Sequence, residues 1–164
     1  MKKEKFVPVP DGNVTKYFSC RAAWGQIKKA KAHGYYVEAI ALEESIISDR
    51  LISYLVRVEE IKPDDRCTKY FGQLIAKWRK CVPQPIKDKD FPDLQAAVEE
   101  WSKKRNKMVH GMAKSIPGAE HQDILEFKKE AEFVAMQGEK LANSLQNWYK
   151  SFKRREARKS INSE

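Results

Sequence analysis

Apolar residues recur along this chain at intervals of three and four, the spacing of one face of an α-helix, in five successive stretches parted by glycine, proline or charged runs. The first stretch, Thr15 to His33, turns Phe18, Ala22, Ile27 and Ala30 inward, and Gly34 ends it. The second and dominant helix runs from Tyr35 to Ile61, with Val37, Ile40, Ile47, Leu51, Leu55 and Val58 in line and Pro63 as its stop. A third, capped by Asp64 or Asp65, reaches Lys80 around Tyr70, Leu74 and Trp78. The loop Val82-Pro83-Gln84-Pro85 and the run Lys87-Asp88-Lys89-Asp90 break the spacing before a fourth helix, with Pro92 in its first turn. After the loop Ser115-Ile116-Pro117-Gly118, the last helix extends from Gln122 to Trp148 or beyond, offering Leu125, Phe133, Met136, Leu141, Leu145 and Trp148 to the core. Strand signals are sparse. The pattern predicts an all-α, single-domain bundle of about five helices: an irregular arm over 1–14, a helical body over 15–149, and a mobile basic tail over 150–164.

With 164 residues, the chain is long enough for one real core and too short to suggest two domains. Its formal net charge of +9 favours a polyanionic partner, nucleic acid or an acidic protein, without choosing between them. Cys20, Cys67 and Cys81 form no close metal-ligand pair, so neither a disulfide framework nor zinc is indicated, and a reducing cytoplasm fits best. No segment has a signal-peptide core or about 18 uninterrupted apolar residues, so a membrane location is not expected. His33, His110 and His121 are scattered and no phosphate-binding glycine loop occurs, which leaves no metal or cofactor implied. His33 and His121 read as helix-end residues, and Tyr35 and Tyr36 as core or dimer contacts.

One residue does not fit the apolar pattern. On the fourth helix Leu94, Val98, Trp101, Arg105, Met108 and Met112 share a face, and Arg105 is the charged member. A guanidinium directed at a core or a partner surface needs an anion, because an unpaired buried charge is very costly. Glu44, between Ile40 and Ile47 on the dominant helix, and Glu43 beside it are the internal anions available. An internal ion pair is one outcome; a functional site is the other. His110 lies five residues after Arg105, about 140° away in a regular helix, while Asn106 is one turn before it on the same flank. Gly111 offers a point where the helix can distort and bring the imidazole back toward the arginine. A permanent cation beside a group that titrates near neutral pH suits a phosphodiester.

The run Arg105-Asn106-Lys107-Met108-Val109-His110, late in a helix of a short bundle, resembles the signature of the HEPN domains: arginine, often a polar residue next, then histidine after four to six intervening positions. Here there are four. Glu100 and Lys104, with Arg105, are similar to an accessory pattern of some members. The resemblance implies a metal-independent endoribonuclease, commonly a toxin or antiviral effector, whose motifs meet across a homodimer and which an antitoxin protein can restrain. By that resemblance Arg105 and His110 are catalytic, Asn106 supports them, and RNA is the partner. Other HEPN proteins have lost catalysis and serve as nucleic-acid- or protein-binding modules. Lys103 and Lys107 flank the motif as candidate RNA contacts. The tail puts six basic residues in the ten positions Lys150 to Lys159, among them Lys153, Arg154, Arg155 and Arg158, enough for non-specific phosphate neutralisation.

Overall fold

A computed structural model describes residues 12–111 and 123–161 of the chain. Five α-helices carry the described part, α1 Gly12–Ala32, α2 Tyr36–Arg57, α3 Phe71–Cys81, α4 Leu94–Gly111 and α5 Ile124–Ile161, with a one-turn 3₁₀ helix at Arg66–Lys69 and no strand. The all-α bundle expected from the periodicity is the fold observed. The Phe18 side chain, Met112, the Ser115–Gly118 loop and His121 lie outside the described residues.

The centre of the bundle is α2, which packs on α5, α1, α3 and α4. Ala39, Ile40, Ile46, Ile47, Leu51, Tyr54 and Leu55 are all buried along it, a face wide enough to need neighbours on several sides. Val37 is only half-buried and Val58 is exposed. On α1, Ile27 and Ala30 are buried as the spacing requires, but Ala22 faces solvent. Gly34 does end α1: it takes a φ of 75°, Gly34 N–H donates to Lys31 O at 3.1 Å and Tyr35 N–H to Ala30 O at 2.8 Å, the double bond of a Schellman cap.

Two helix ends differ from the pattern. The same cap ends α2 at Arg57, well before Pro63, because Glu59 adopts a left-handed φ of 58° and Glu60 N–H reaches back to Leu55 O at 3.0 Å. Nothing in a glutamate advertises that conformation, which costs a side-chain-bearing residue roughly 1–2 kcal/mol. The return it secures is that Ile61 turns into the core. The single helix expected up to Lys80 is also split. Asp65 accepts from Cys67 N–H at 2.9 Å and caps only the 3₁₀ turn, then Tyr70 goes extended and exposed, and α3 starts afresh at Phe71. Pro92 precedes α4 without entering it; Asp93 is the cap, accepting from Gln95 N–H at 3.0 Å and Ala96 N–H at 3.2 Å.

The spine of α5 is Phe127, Ala131, Val134, Ala135, Gly138, Leu141, Ala142 and Leu145, with small residues where α2 and α4 come closest. Gly138 is the tightest point, since a Cβ there would stand 2.7 Å from the Trp101 ring and 2.9 Å from the Glu43 carboxyl carbon. Trp101 Nε1 then donates to Val134 O at 2.9 Å, fastening α4 to α5. Leu125, Phe133 and Met136, expected inside, are exposed: the buried face of α5 is narrow and set by those small residues. The helix continues through the basic run to Ile161. Tyr54, Trp148 and Phe152 pack with ring centroids 4.8 Å and 4.9 Å from Tyr54, so aromatic contacts hold α5 well past Trp148. No described helix is long and apolar enough to cross a membrane.

Candidate functional site

Arg105 sits where α4 faces α2, and the structure resolves which acid meets it. Its Nη2 pairs with Glu44, both side chains retaining about a fifth of their exposure, and its Nη1 donates to Asn106 Oδ1 at 2.6 Å. The Arg105 Nε is buried with no partner among the described residues. The guanidinium is thus held from two sides.

Glu43 does something different. It is fully buried under Gly138 and Trp101, neither carboxylate oxygen has a partner among the described residues, and burial pushes its carboxyl up to about 9. Lys31 partly opposes that rise and Glu139 adds to it, but those two are themselves ion-paired. Glu43 is therefore a protonated core residue at neutral pH and not a support for Arg105.

The helix stays regular through Gly111, so the imidazole is not swung back. Arg105 and His110 remain about 140° apart around α4, and Arg105 points to α2 while His110 is exposed. Lys103, Asn106 and His110 form the outward line of α4, within about 60° of one another, and all three are exposed. Asn106 joins the two halves, lying on the outward line while taking the Arg105 hydrogen bond. The His110 imidazole has no hydrogen-bond partner among the described residues.

Glu100 and Lys104 pair with each other at 3.0 Å on the α5 side of α4, where Lys104 Nζ lies 5.6 Å from the Phe133 ring centroid. Neither engages Arg105. Lys107 is committed to Glu130 at 2.8 Å, and Lys103 on the outward line has no ion pair among the described residues. Asp49 and Arg50 bind back to α1 through Lys16 and Cys20. His33 Nδ1 lies 2.8 Å from Lys29 O as a helix-end residue, and Tyr35 is exposed beside it, not in the core.

Between α2, the 3₁₀ turn and α4 lies a polar groove of about 380 Å³, with Arg105 and Glu44 at one side and Lys69 at the other. Ala41, Ser45, Ser48, Thr68 and Phe71 complete its walls. These residues escape a reading by apolar stripes. The available signal is that Glu44, Ser45 and Ser48 interrupt the apolar run of α2 on one side, and the chain break at Tyr70 that brings the opposite wall into place has no sequence mark.

Lys153, Arg154, Arg155 and Arg158 are exposed on the last turns of α5. They are far from His110: Gly111 abuts Phe127, and the 28 residues from there to Arg155 span about 42 Å of helix. One chain does not bring the basic end and the motif together. Truncation after Lys153 keeps Phe152 in its aromatic cluster and removes Arg154, Arg155, Arg158 and Lys159. If RNA is the polyanion that the basic residues meet, this should weaken its binding and flatten the salt dependence by roughly 0.7 per lost phosphate contact on a single strand. Filter binding across a salt series measures this, and an unchanged slope would assign the basic end another role.

Comparison with known proteins adds no relative: no family model, curated protein or solved structure matches the chain at a significant level. Among the described residues no cluster of histidine, cysteine and carboxylates is placed to hold a metal.

Proposed function

We propose that this chain is a HEPN-type, metal-independent endoribonuclease acting as a cytoplasmic homodimer, in the manner of a toxin or antiviral effector with a possible antitoxin as its protein partner. The observation that carries the reading is the Arg105 guanidinium held between Glu44 and Asn106, with Asn106 on the exposed line that includes His110. RNA supplies its own nucleophile. A base removes the 2′-hydroxyl proton, the 2′-oxygen attacks phosphorus, the bond from phosphorus to the 5′-oxygen breaks, and that oxygen takes a proton. The products are a 2′,3′-cyclic phosphate and a 5′-hydroxyl. Arg105 answers the charge on the pentavalent phosphorane, and His110 moves a proton.

Because Arg105 and His110 diverge on one helix, a complete site calls for a second copy. Two α4 helices meeting near Asn106 and His110 supply both groups to one cleft. The exposed apolar residues Phe133 and Met136 on neighbouring α5 offer further contact area.

A second reading has an observation of its own. The half-buried Arg105–Glu44 pair is what a structural arginine would make, and it favours a non-catalytic module that binds nucleic acid or protein. Incubating the purified chain with end-labelled RNA in excess chelator separates the two: cleavage leaving 2′,3′-cyclic phosphate ends is expected, and binding without cleavage would replace the enzyme with the module.

A further inference from the structure

We infer that the groove between α2, the 3₁₀ turn and α4 is a nucleotide subsite that takes one guanine nucleotide of an RNA strand lying across Arg105. The choice of RNA rests on the ribonuclease reading; the preference for guanine comes from the groove's own groups.

Size comes first. About 380 Å³ falls at the lower end of the roughly 300–1,000 Å³ typical of small-ligand sites, the scale of one nucleotide and not of a helix or a folded partner. The lining is also unlike a packing defect, since it is mostly polar and carries charge of both signs.

The hydroxyls have a direction. Ser45 Oγ donates to Ala41 O at 3.1 Å and Thr68 Oγ1 donates to Asp65 O at 2.8 Å, so the hydrogens of both are committed to the backbone. Toward the groove they present lone pairs. The Glu44 carboxylate, with lone pairs beyond those Arg105 takes, extends the same acceptor-rich wall. Such a wall selects a base edge that donates. Guanine presents adjacent N1–H and N2–H₂ donors, a pair that a carboxylate can accept side by side, whereas uracil presents one N–H between two carbonyl acceptors. Phe71, half-buried and edge-on to Trp101 at 6.2 Å, gives the base an apolar surface.

Two cations line the groove, one of them free to meet a phosphate. Lys69 is exposed and has no carboxylate partner among the described residues, and Arg105 lines the same groove with its guanidinium held by Glu44 and Asn106. With Glu44 balanced by Arg105, Lys69 leaves the groove one net positive charge for the phosphodiester.

The test titrates the ¹⁵N-labelled full chain with guanosine 5′-monophosphate, uridine 5′-monophosphate and inorganic phosphate, none of which can be cut. Guanosine monophosphate should shift the amide signals of Ser45, Ser48, Thr68 and Lys69 at concentrations about tenfold below uridine monophosphate, with phosphate weaker still. Ser48→Leu, which fills the groove, and Lys69→Glu, an exposed change that does not depend on repacking, should each weaken guanosine monophosphate about tenfold. Equal response to both nucleotides, phosphate matching guanosine monophosphate, shifts confined to the basic end of α5, or wild-type affinity in Lys69→Glu would overturn the inference. Cleavage of RNA without nucleotide binding in the groove defeats the subsite alone. Groove binding in a chain that never cuts RNA defeats the ribonuclease reading and leaves the subsite standing.

Discussion

Glu43→Gln should make the protein more stable than its parent at pH 8 and no more stable near pH 4.5. The parent carboxyl is fully buried among α2, α4 and α5, and burial holds it protonated up to about 9, against an ordinary value of 4.5 in the unfolded chain. The sign follows from proton counting. Below the unfolded value both states carry the proton and pH does not matter. Between 4.5 and about 9 the folded state keeps the proton that the unfolded state has released, so stability falls as pH rises, by about 1.4 kcal/mol per unit. Above about 9 both forms are ionised and the loss levels off. Glutamine keeps the shape and cannot ionise, so the advantage of the variant should grow to several kcal/mol, with roughly 5 kcal/mol at pH 8 as an upper figure. Its amide is as poorly partnered as the acid it replaces, and that cost is the same at every pH. Urea midpoints of parent and variant from pH 4.5 to 8.5 give the difference, from which all other titrating groups cancel. Parallel curves would mean that Glu43 is ionised in the folded protein, with Lys31 as its counter-ion.

The same residue marks how far the sequence can be read. Spacing places both Glu43 and Glu44 near the apolar line of α2, and a period of 3.6 does not say which neighbour each will meet. The deciding feature is on another helix: Gly138 lets α5 come close enough to seal Glu43 beneath it, which leaves Glu44 at the edge for Arg105. The periodicity captured Ile40, Ile47, Leu51 and Leu55 of α2, Leu94, Val98, Trp101 and Met108 of α4, and Gly34 as the end of α1, because each depends on local pattern or on one special residue. Phe133 and Met136 were legible only as apolar, and the small residues of α5 settled which face is inside. The left-handed Glu59 and the break at Tyr70 left no local trace, since the core that buries the adjacent Ile61 and Cys67 is built by residues far along the chain. On α4 the motif could be read as residue types, but its geometry could not: Gly111 permits a distortion that the helix does not make.

That regular helix sets the strongest test of catalysis. His110→Ala should lower cleavage by about 10²–10⁴-fold without loss of helix content, because His110 is exposed and its replacement removes a proton-transfer group and no packing. Arg105→Ala should lower cleavage as much and also cost stability, since it leaves the half-buried Glu44 without its cation. Assembly then separates a composite site from a self-contained one. If both copies supply one cleft, inactive Arg105→Ala and His110→Ala subunits exchanged at equal concentration should regain activity, because half of the pairings are mixed dimers in which one copy brings Arg105 and the other His110. Self-contained sites would instead stay inactive in every pairing. Sedimentation velocity at the assay concentration should show a dimer. A monomer cleaving at full rate would rule out the composite cleft, and with Arg105 and His110 about 140° apart on one helix it would require proton transfer by some other group.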